Sequence, residues 1–316
     1  VTDSTLTLPS FAKINWYFSI LGKRPDSYHE IRTVLQTISL RDQLTFRARE
    51  DDRIVFHCDD PGIPADESNL VVRAANALRA KVSRTHGAEI VLQKTIPAQG
   101  GLGGGSANAA ITLLGLNYLW QTNLNYEELT LLAANLGADV PFFLLGGRVL
   151  GEGIGVDLTS LQDVAKQFLI VITPSVSVST PVAYAAVSAP SLTTQNPISI
   201  LSSSFAERDL NDSSLTTLHN DFEKVIFEIE PEIFRAKQAL VDTGARGALL
   251  AGSGSSVFGV FDDLEARKRA LSELRSEAGW RIASCETISR EEYFQAMGSC
   301  GSRFLRSLNL QTNPGA

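Results

Sequence analysis

Cysteine is scarce, and the three present, Cys58, Cys285 and Cys300, are widely spaced and outside any CxxC or Cys/His pattern. That excludes a disulfide framework and a zinc site and leaves reduced thiols as the expectation. Histidine is almost as sparse: His29, His57, His86 and His219 show no metal-ligand spacing of the HExxH kind, so no bound transition metal is expected. Nowhere do about eighteen apolar residues run uninterrupted, and the N-terminal residues lack the basic start and apolar stretch of a signal peptide. A cytoplasmic chain with no membrane partner is expected. Positive charge is also in deficit, with 28 Lys and Arg against 35 Asp and Glu, a formal net charge of −7. Neutralising a nucleic-acid backbone needs clustered cations, so no nucleic-acid partner is expected and any anion must be bound locally. No internal repeat is visible, and nothing in the sequence chooses between a monomer and a homodimer.

What is present is an ordinary globular composition, 44% hydrophobic and 20% charged over 316 residues, long enough for two domains that each bury a core. Residues 12–20, 31–38, 43–47 and 53–57 read as short strands, with a turn over 22–27. Residues 69–82 carry apolar positions at helical spacing, and 88–93 read as the next strand. A helix is expected to open at Ser106, a second to cover 126–136 and stop at Gly137, and 148–156 to resume an extended or turning path. After a strand at 168–173 the chain carries no charge between Gln167 and Ala206. We place the domain boundary near 165, giving domains 1–165 and 166–316. The second holds expected helices at 221–241 and 263–278, a glycine-bounded segment at 244–260, a strand at 281–287 and an irregular tail from 299.

The segment PAQGGLGGGSANAA, from Pro97 to Ala110, packs five glycines into six positions and runs into a helix. Glycine permits positive φ and close backbone approach, so successive N–H groups can converge on an anion while the helix dipole adds positive potential. A bare glycine run also serves as a linker or tight turn, and the uninterrupted helix behind this one favours a phosphate cradle. It is not a Walker A loop, because Gly105 stands where that motif has its lysine, nor a GxGxxG dinucleotide fingerprint. The positive charge must come from elsewhere. PSFAKINWYF places Lys13 in a strand, and LGADVPFF places Asp139 in a tight turn after a helix. Taken singly, Lys13 also reads as a snorkelling lysine and Asp139 as a turn or cap residue.

Together with AGSGSSVFG (Ala251 to Gly259), these segments resemble, in order and spacing, the galactokinase, homoserine kinase, mevalonate kinase and phosphomevalonate kinase (GHMP) superfamily. GKRPDSYHEI, the form of the loop, LGADVPFF and NDFE (Asn220 to Glu223) resemble its 4-diphosphocytidyl-2-C-methyl-D-erythritol kinase family, from about Pro9 to about Thr287. The resemblance implies an α+β fold of two domains, the first like domain 2 of ribosomal protein S5 and the second ferredoxin-like, with the active site in the cleft between them. It implies ATP as phosphate donor, Mg2+, and as partner a small-molecule cytidine diphosphate ester of a branched tetritol. Asp139 would be the base and Lys13 its companion, with Asn15 on the same strand bonding the substrate's hydroxyls. Adenine would meet Asn69, Leu70 and Lys94, although Asn69 also reads as a helix N-cap. The triphosphate would meet Pro97, Gly101, Gly103, Gly104, Gly105, Ser106 and Ala107. Ser106 is the candidate Mg2+ ligand, and Glu128, eleven positions before the aspartate, is a second that also reads as a plain first-turn helix glutamate. Tyr28, His29, Thr180 and Tyr184 would hold the cytidylyl end, with half-buried packing as the alternative for the tyrosines. The loop departs from the family in opening with Ala98 and Gln99, where Gly or Met-Gly is frequent. A GHMP kinase of the homoserine or mevalonate type, and a non-catalytic nucleotide-binding protein, are the competing readings.

Overall fold

The computed structural model describes residues 5–82, 86–187, 218–275 and 277–308. Its base is a long antiparallel hairpin of β1 (Thr5–Lys23) and β2 (His29–Arg49), closed by a turn in which Arg24 N–H donates to the Tyr28 carbonyl at 2.8 Å. Both strands run well past the short segments expected. The register shifts at Phe11/Ala12, Asn15/Tyr17 and Ile20/Gly22 break the simple alternation by which a long strand is recognised. Around the hairpin assemble β3 (Ile54–Cys58), α1 (Leu70–Val82), β4 (Gly87–Gln93), α2 (Gly104–Leu119), α3 (Tyr126–Leu136), α4 (Phe142–Leu145), β5 (Arg148–Glu152) and β6 (Asp157–Ser160). The sheet runs β3-β4-β2-β1, with β5 on β2 and β6 on β5. Buried α2 packs with α1, α3 and α4 on one face, around Leu44, Phe46, Ile90, Leu113 and Phe142. It opens at Gly104, two residues before the expected Ser106, because Gly103 at φ 71 supplies the left-handed entry a hydroxyl cap would otherwise mark.

The second half forms a four-stranded antiparallel sheet ordered β11-β7-β10-β9. Its strands are β7 (Phe168–Pro174), β9 (Gly247–Leu250), β10 (Val257–Phe261) and β11 (Trp280–Glu286), and the chain between them forms α5 (Thr180–Ala186), β8 (His219–Asn220), α6 (Glu223–Ile229), α7 (Pro231–Asp242) and α8 (Leu264–Leu274). The apolar run of β7 is explained by burial on both faces. Ile170 and Ile172 join Ile233, Leu240 and Leu274 on the helical side. Leu169 and Val171 face the first sheet, meeting Ile14, Trp16, Ile38 and Phe258 in a third core that welds the halves together. The single helix expected over 221–241 is two, because Pro231 forces Glu230 out of helical geometry (φ −132, ψ 85) and starts α7 afresh. α8 ends at Leu274, short of the expected 278.

After β11 the chain forms α9 (Arg290–Gln295) and α10 (Gly298–Ser307), so the tail expected to be irregular from 299 is helical as far as Ser307, and its part from 309 lies outside the described residues. Tyr293, Phe294, Met297, Cys300 and Phe304 join the core of the first half, and the Tyr293 hydroxyl donates to the Phe143 carbonyl at 2.5 Å. The first core therefore draws on both ends of the chain rather than on 1–165 alone. β8 also crosses over, pairing in parallel with β1 through Tyr17/His219 and Phe18/Asn220.

Candidate active site

A cleft of about 1250 Å³ opens where the two halves meet, walled by the glycine loop, the β1–β2 hairpin, the turn after α3, α5 and the loop at Gly252 and Ser253. Lys13 is buried on β1. Its ammonium donates to Asn15 Oδ1 at 2.9 Å and lies 3.7 Å from the half-exposed Asp139 carboxylate. Asn15 in turn donates to Thr33 Oγ1 at 2.8 Å, and that hydroxyl donates to the Tyr17 carbonyl, so the amide's orientation is set. The Lys13 backbone N–H donates to the Leu102 carbonyl at 2.9 Å, which ties the glycine loop to the strand that carries the lysine.

The loop itself is clamped from the other side. Gly101 has φ 73, and a Cβ there would stand 2.0 Å from the Ala251 carbonyl oxygen. Ser256 N–H donates to the Gly100 carbonyl at 3.1 Å, and the Ser256 hydroxyl shares a 2.7 Å hydrogen bond with Thr173. The N–H groups of Gly104, Gly105 and Ser106 lead the helix and have no acceptor within it, so they and the dipole are offered to the cleft. Ala107 does not reach it: its methyl is in the core and its N–H donates to the Gly103 carbonyl at 2.8 Å.

Lys94 lies in the cleft wall, but its ammonium is committed to the fully buried Asp42 carboxylate at 2.9 Å and to the Ile96 carbonyl. Asp42 also accepts from Thr95 N–H and Ile96 N–H, each at 2.7 Å, and from Asn108 Nδ2 at 3.1 Å. The Lys94 side chain thus braces the strap that feeds the glycine loop and is not offered to a ligand. Sequence reading missed Asp42 and Asn108, since a polar residue in a strand and another in a helix carry no local sign that they meet. Asn69 caps α1, accepting from Val71 N–H at 2.8 Å, and lines the cleft with Leu70 and Pro97. Glu128 does not line it. Its carboxylate completes the capping box of α3 by accepting from Asn125 N–H at 3.1 Å, which is the first-turn role.

At the far end the Tyr28 ring is 63% exposed, and His29 stacks on Tyr184 at 5.0 Å and 28°. Tyr184 meets Phe222 edge to face, and Thr180 shares a 2.9 Å hydrogen bond with Ser253. Burial, then the Asp139 charge, pushes the Tyr184 phenol up and keeps it protonated. Burial, then the Lys23 charge, pushes His29 down, so its imidazole is neutral at pH 7. Among the described lining residues Asp139 is the sole carboxylate, against Lys13, Lys23 and Lys94. The described residues contain no cluster of three metal-ligating side chains and no helix long and apolar enough to cross a membrane.

The chain matches the GHMP kinases N-terminal domain over residues 69–147 and the GHMP kinases C-terminal domain over 206–279. A 4-diphosphocytidyl-2-C-methyl-D-erythritol kinase of a Geobacter species is 39% identical over 283 residues, 90% of this chain and 99% of that protein. One from Burkholderia lata is 38% identical over 300 residues, 93% of this chain and 99% of that protein. Among solved structures, a 4-(cytidine 5'-diphospho)-2C-methyl-D-erythritol kinase superposes with TM-score 0.71 at 31% identity, covering 89% of this chain and 99% of that one. The Cytophaga hutchinsonii homoserine kinase, at TM-score 0.70 and 20% identity over 93% of this chain and 97% of that one, shares the fold. The two-domain GHMP architecture, the cleft between its halves and these near full-length relatives converge: the chain belongs to the 4-diphosphocytidyl-2-C-methyl-D-erythritol kinase family of small-molecule GHMP kinases.

Proposed function

We propose that the protein transfers the γ-phosphate of ATP to the 2-hydroxyl of 4-diphosphocytidyl-2-C-methyl-D-erythritol, a step of isoprenoid precursor synthesis by the methylerythritol phosphate route, in the cytoplasm. The observation that carries this reading is the Lys13 ammonium 3.7 Å from the Asp139 carboxylate, in one cleft with the leading N–H groups of α2 at one end and the Tyr28, His29 and Tyr184 rings at the other. An anion cradle and an aromatic base site on either side of a lysine–carboxylate pair is the arrangement an alcohol kinase with a nucleotide-tagged substrate needs.

In this reading the triphosphate lies on Gly101, Gly103, Gly104, Gly105 and Ser106, and the adenine against Asn69, Leu70 and Pro97. Asp139 accepts the hydroxyl proton as the oxygen attacks phosphorus, and Lys13 offsets the charge that gathers on the transferring group. Asn15 holds the acceptor end of the substrate. Neutral His29 offers one ring N–H donor and one ring acceptor to the cytosine edge, with Tyr28 and Tyr184 supplying ring faces and Thr180 a hydroxyl. A cleft with one carboxylate suits Mg2+ that arrives on the nucleotide, since this ion takes phosphate oxygens plus one or two protein ligands; Ser106 and Asp139 would be those ligands. When bound, the ion neutralises phosphate charge.

The reading is tested by incubating the protein with ATP, Mg2+ and the cytidylyl tetritol, with homoserine or mevalonate in parallel, and following ADP. ADP is expected with the cytidylyl substrate. Release only with homoserine or mevalonate, or with none of the three, would overturn it.

A further inference from the structure

The polar side chains of the NDFE segment, Asn220, Asp221 and Glu223, fasten the two halves of the molecule together. Asn220 is 4% exposed, and its Nδ2 donates to two carbonyls at once, Leu250 at 2.9 Å and Gly252 at 2.8 Å. Its Oδ1 accepts from Phe222 N–H at 3.0 Å, and a flipped amide would set an oxygen against two carbonyl oxygens, so the orientation is determined. Glu223 accepts from Leu250 N–H at 3.0 Å and holds Lys237 at 2.7 Å. Leu250 is therefore gripped by both its N–H and its carbonyl.

The other edge of the segment is fastened to the strand that carries Lys13. Asp221 N–H donates to the Phe18 carbonyl at 3.0 Å, and the Asp221 carboxylate accepts from Ile20 N–H at 2.6 Å and the Ser19 hydroxyl at 3.1 Å. His219 lies over the Tyr17 ring at 5.3 Å. Five consecutive residues thus bridge β1 in the first half to the 250–252 loop in the second. What the loop presents at the far end of that bridge is Gly252, at φ 57. A Cβ on it would stand 3.2 Å from Lys13 Nζ, 3.3 Å from the Gly101 carbonyl oxygen and 3.5 Å from Asn15 Oδ1. The bare Gly252 backbone is the wall against which the lysine, the amide and the glycine loop are packed.

We propose that Asn220 is a positioning residue for phosphoryl transfer: by holding the Leu250 and Gly252 carbonyls it seats the Gly252 backbone against Lys13 and so fixes the ammonium beside Asp139. Because reacting groups lose rate steeply with misplacement of the order of an ångström, the effect falls on turnover rather than on affinity. The inference rests on the role given to Lys13 above.

The test is a double-mutant cycle of Asn220→Asp with Lys13→Ala, read by steady-state ADP release over a range of ATP and cytidylyl-substrate concentrations, with folding checked by thermal melting. Asn220→Asp keeps shape but removes both donors. It is expected to lower kcat about tenfold or more while each KM stays within about threefold, and to have little further effect once Lys13 is gone. Asn220→Ser, which carries one short donor and no charge, serves if Asn220→Asp gives no folded protein and has the same expectation. A kcat within about twofold of the parent in the folded variant, or loss that multiplies fully with that of Lys13→Ala, would overturn the proposal. A normal kcat in Lys13→Ala alone would instead overturn the role given to the lysine, so the two failures are distinct.

Discussion

Replacing Gly101 by alanine should damage both stability and turnover, and the two losses have separable causes. At φ 73 an L residue costs about 1–2 kcal/mol over glycine. The new methyl would also stand 2.0 Å from the Ala251 carbonyl oxygen and 2.9 Å from that of Gly254, where ordinary contact begins near 3.4 Å, so the two loops must part by about 1.4 Å. Neither neighbour is the end of a flexible side chain that could swing away, and the overpacking adds about 1–3 kcal/mol. For a chain of this size the sum, about 2–5 kcal/mol, lowers Tm by about 3–8 °C. The same parting moves the glycine loop relative to Lys13, and displacement on that scale is worth about 10²-fold in turnover. Melting curves and coupled ADP release measure the two effects. Gly105→Ala is the control: its Cβ meets only Leu70 Cδ1, at 3.7 Å, on ordinary helical backbone, so Tm should hold or rise while KM for ATP increases as the methyl intrudes on the cradle. Parental Tm and turnover in Gly101→Ala would refute the claim that the loops are locked face to face.

Asp139→Asn should cost about 10²-fold or more in kcat with little change in melting, read by steady-state ADP release; near-parental turnover would remove the aspartate from the base role. Tyr184→Ala should raise KM for the cytidylyl substrate at least tenfold and leave KM for ATP within about twofold, since the ring lies at the end of the cleft away from the glycine loop. Asp42→Ala should destabilise by about 3–5 kcal/mol in urea unfolding, because it strands the buried Lys94 ammonium and two strap N–H groups. The hydrogen bond to Asp221 raises His219 above its usual 6.5, while burial, which would raise Asp221, is outweighed by its imidazole and backbone partners, leaving that carboxylate lowered. A raised histidine contributes stability that is complete below its unfolded value and is lost as pH climbs through the folded one. The Tm advantage of the parent over His219→Gln should therefore shrink between about pH 6 and pH 8; an advantage that grows with pH would contradict the pairing.

The parts of the site legible in the sequence were those with a local signature. The glycine loop announces itself by composition, and its missing lysine directs attention to Lys13 and to the Asp139 turn, which the fold brings within 3.7 Å. The bulges of the long β1–β2 hairpin interrupt its alternation, so the sequence shows only short pieces of it, and the left-handed Gly103 that opens α2 leaves no capping signature before Ser106. Lys94 lines the cleft but its ammonium is held by Asp42, and Ala107 has its methyl in the core and its N–H bonded to the Gly103 carbonyl. Neither fact has a sequence signal, since Asp42 lies 52 positions from Lys94. The fate of the tail was equally hidden. Gly298–Ser307 is glycine- and serine-rich and reads as loop, and becomes helical through the apolar face it lays on α2.

That returning tail also bears on the order in which the molecule is made. A ribosome releases the glycine loop, Lys13 and Asp139 long before it releases Tyr293, Phe294 and Phe304, yet these aromatics complete the core on which α2 and the Asp139 turn rest. The half that would hold ATP therefore waits for α9 and α10 before its own packing is finished. Until α9 and α10 have emerged, the cleft stands on only part of the core beneath it.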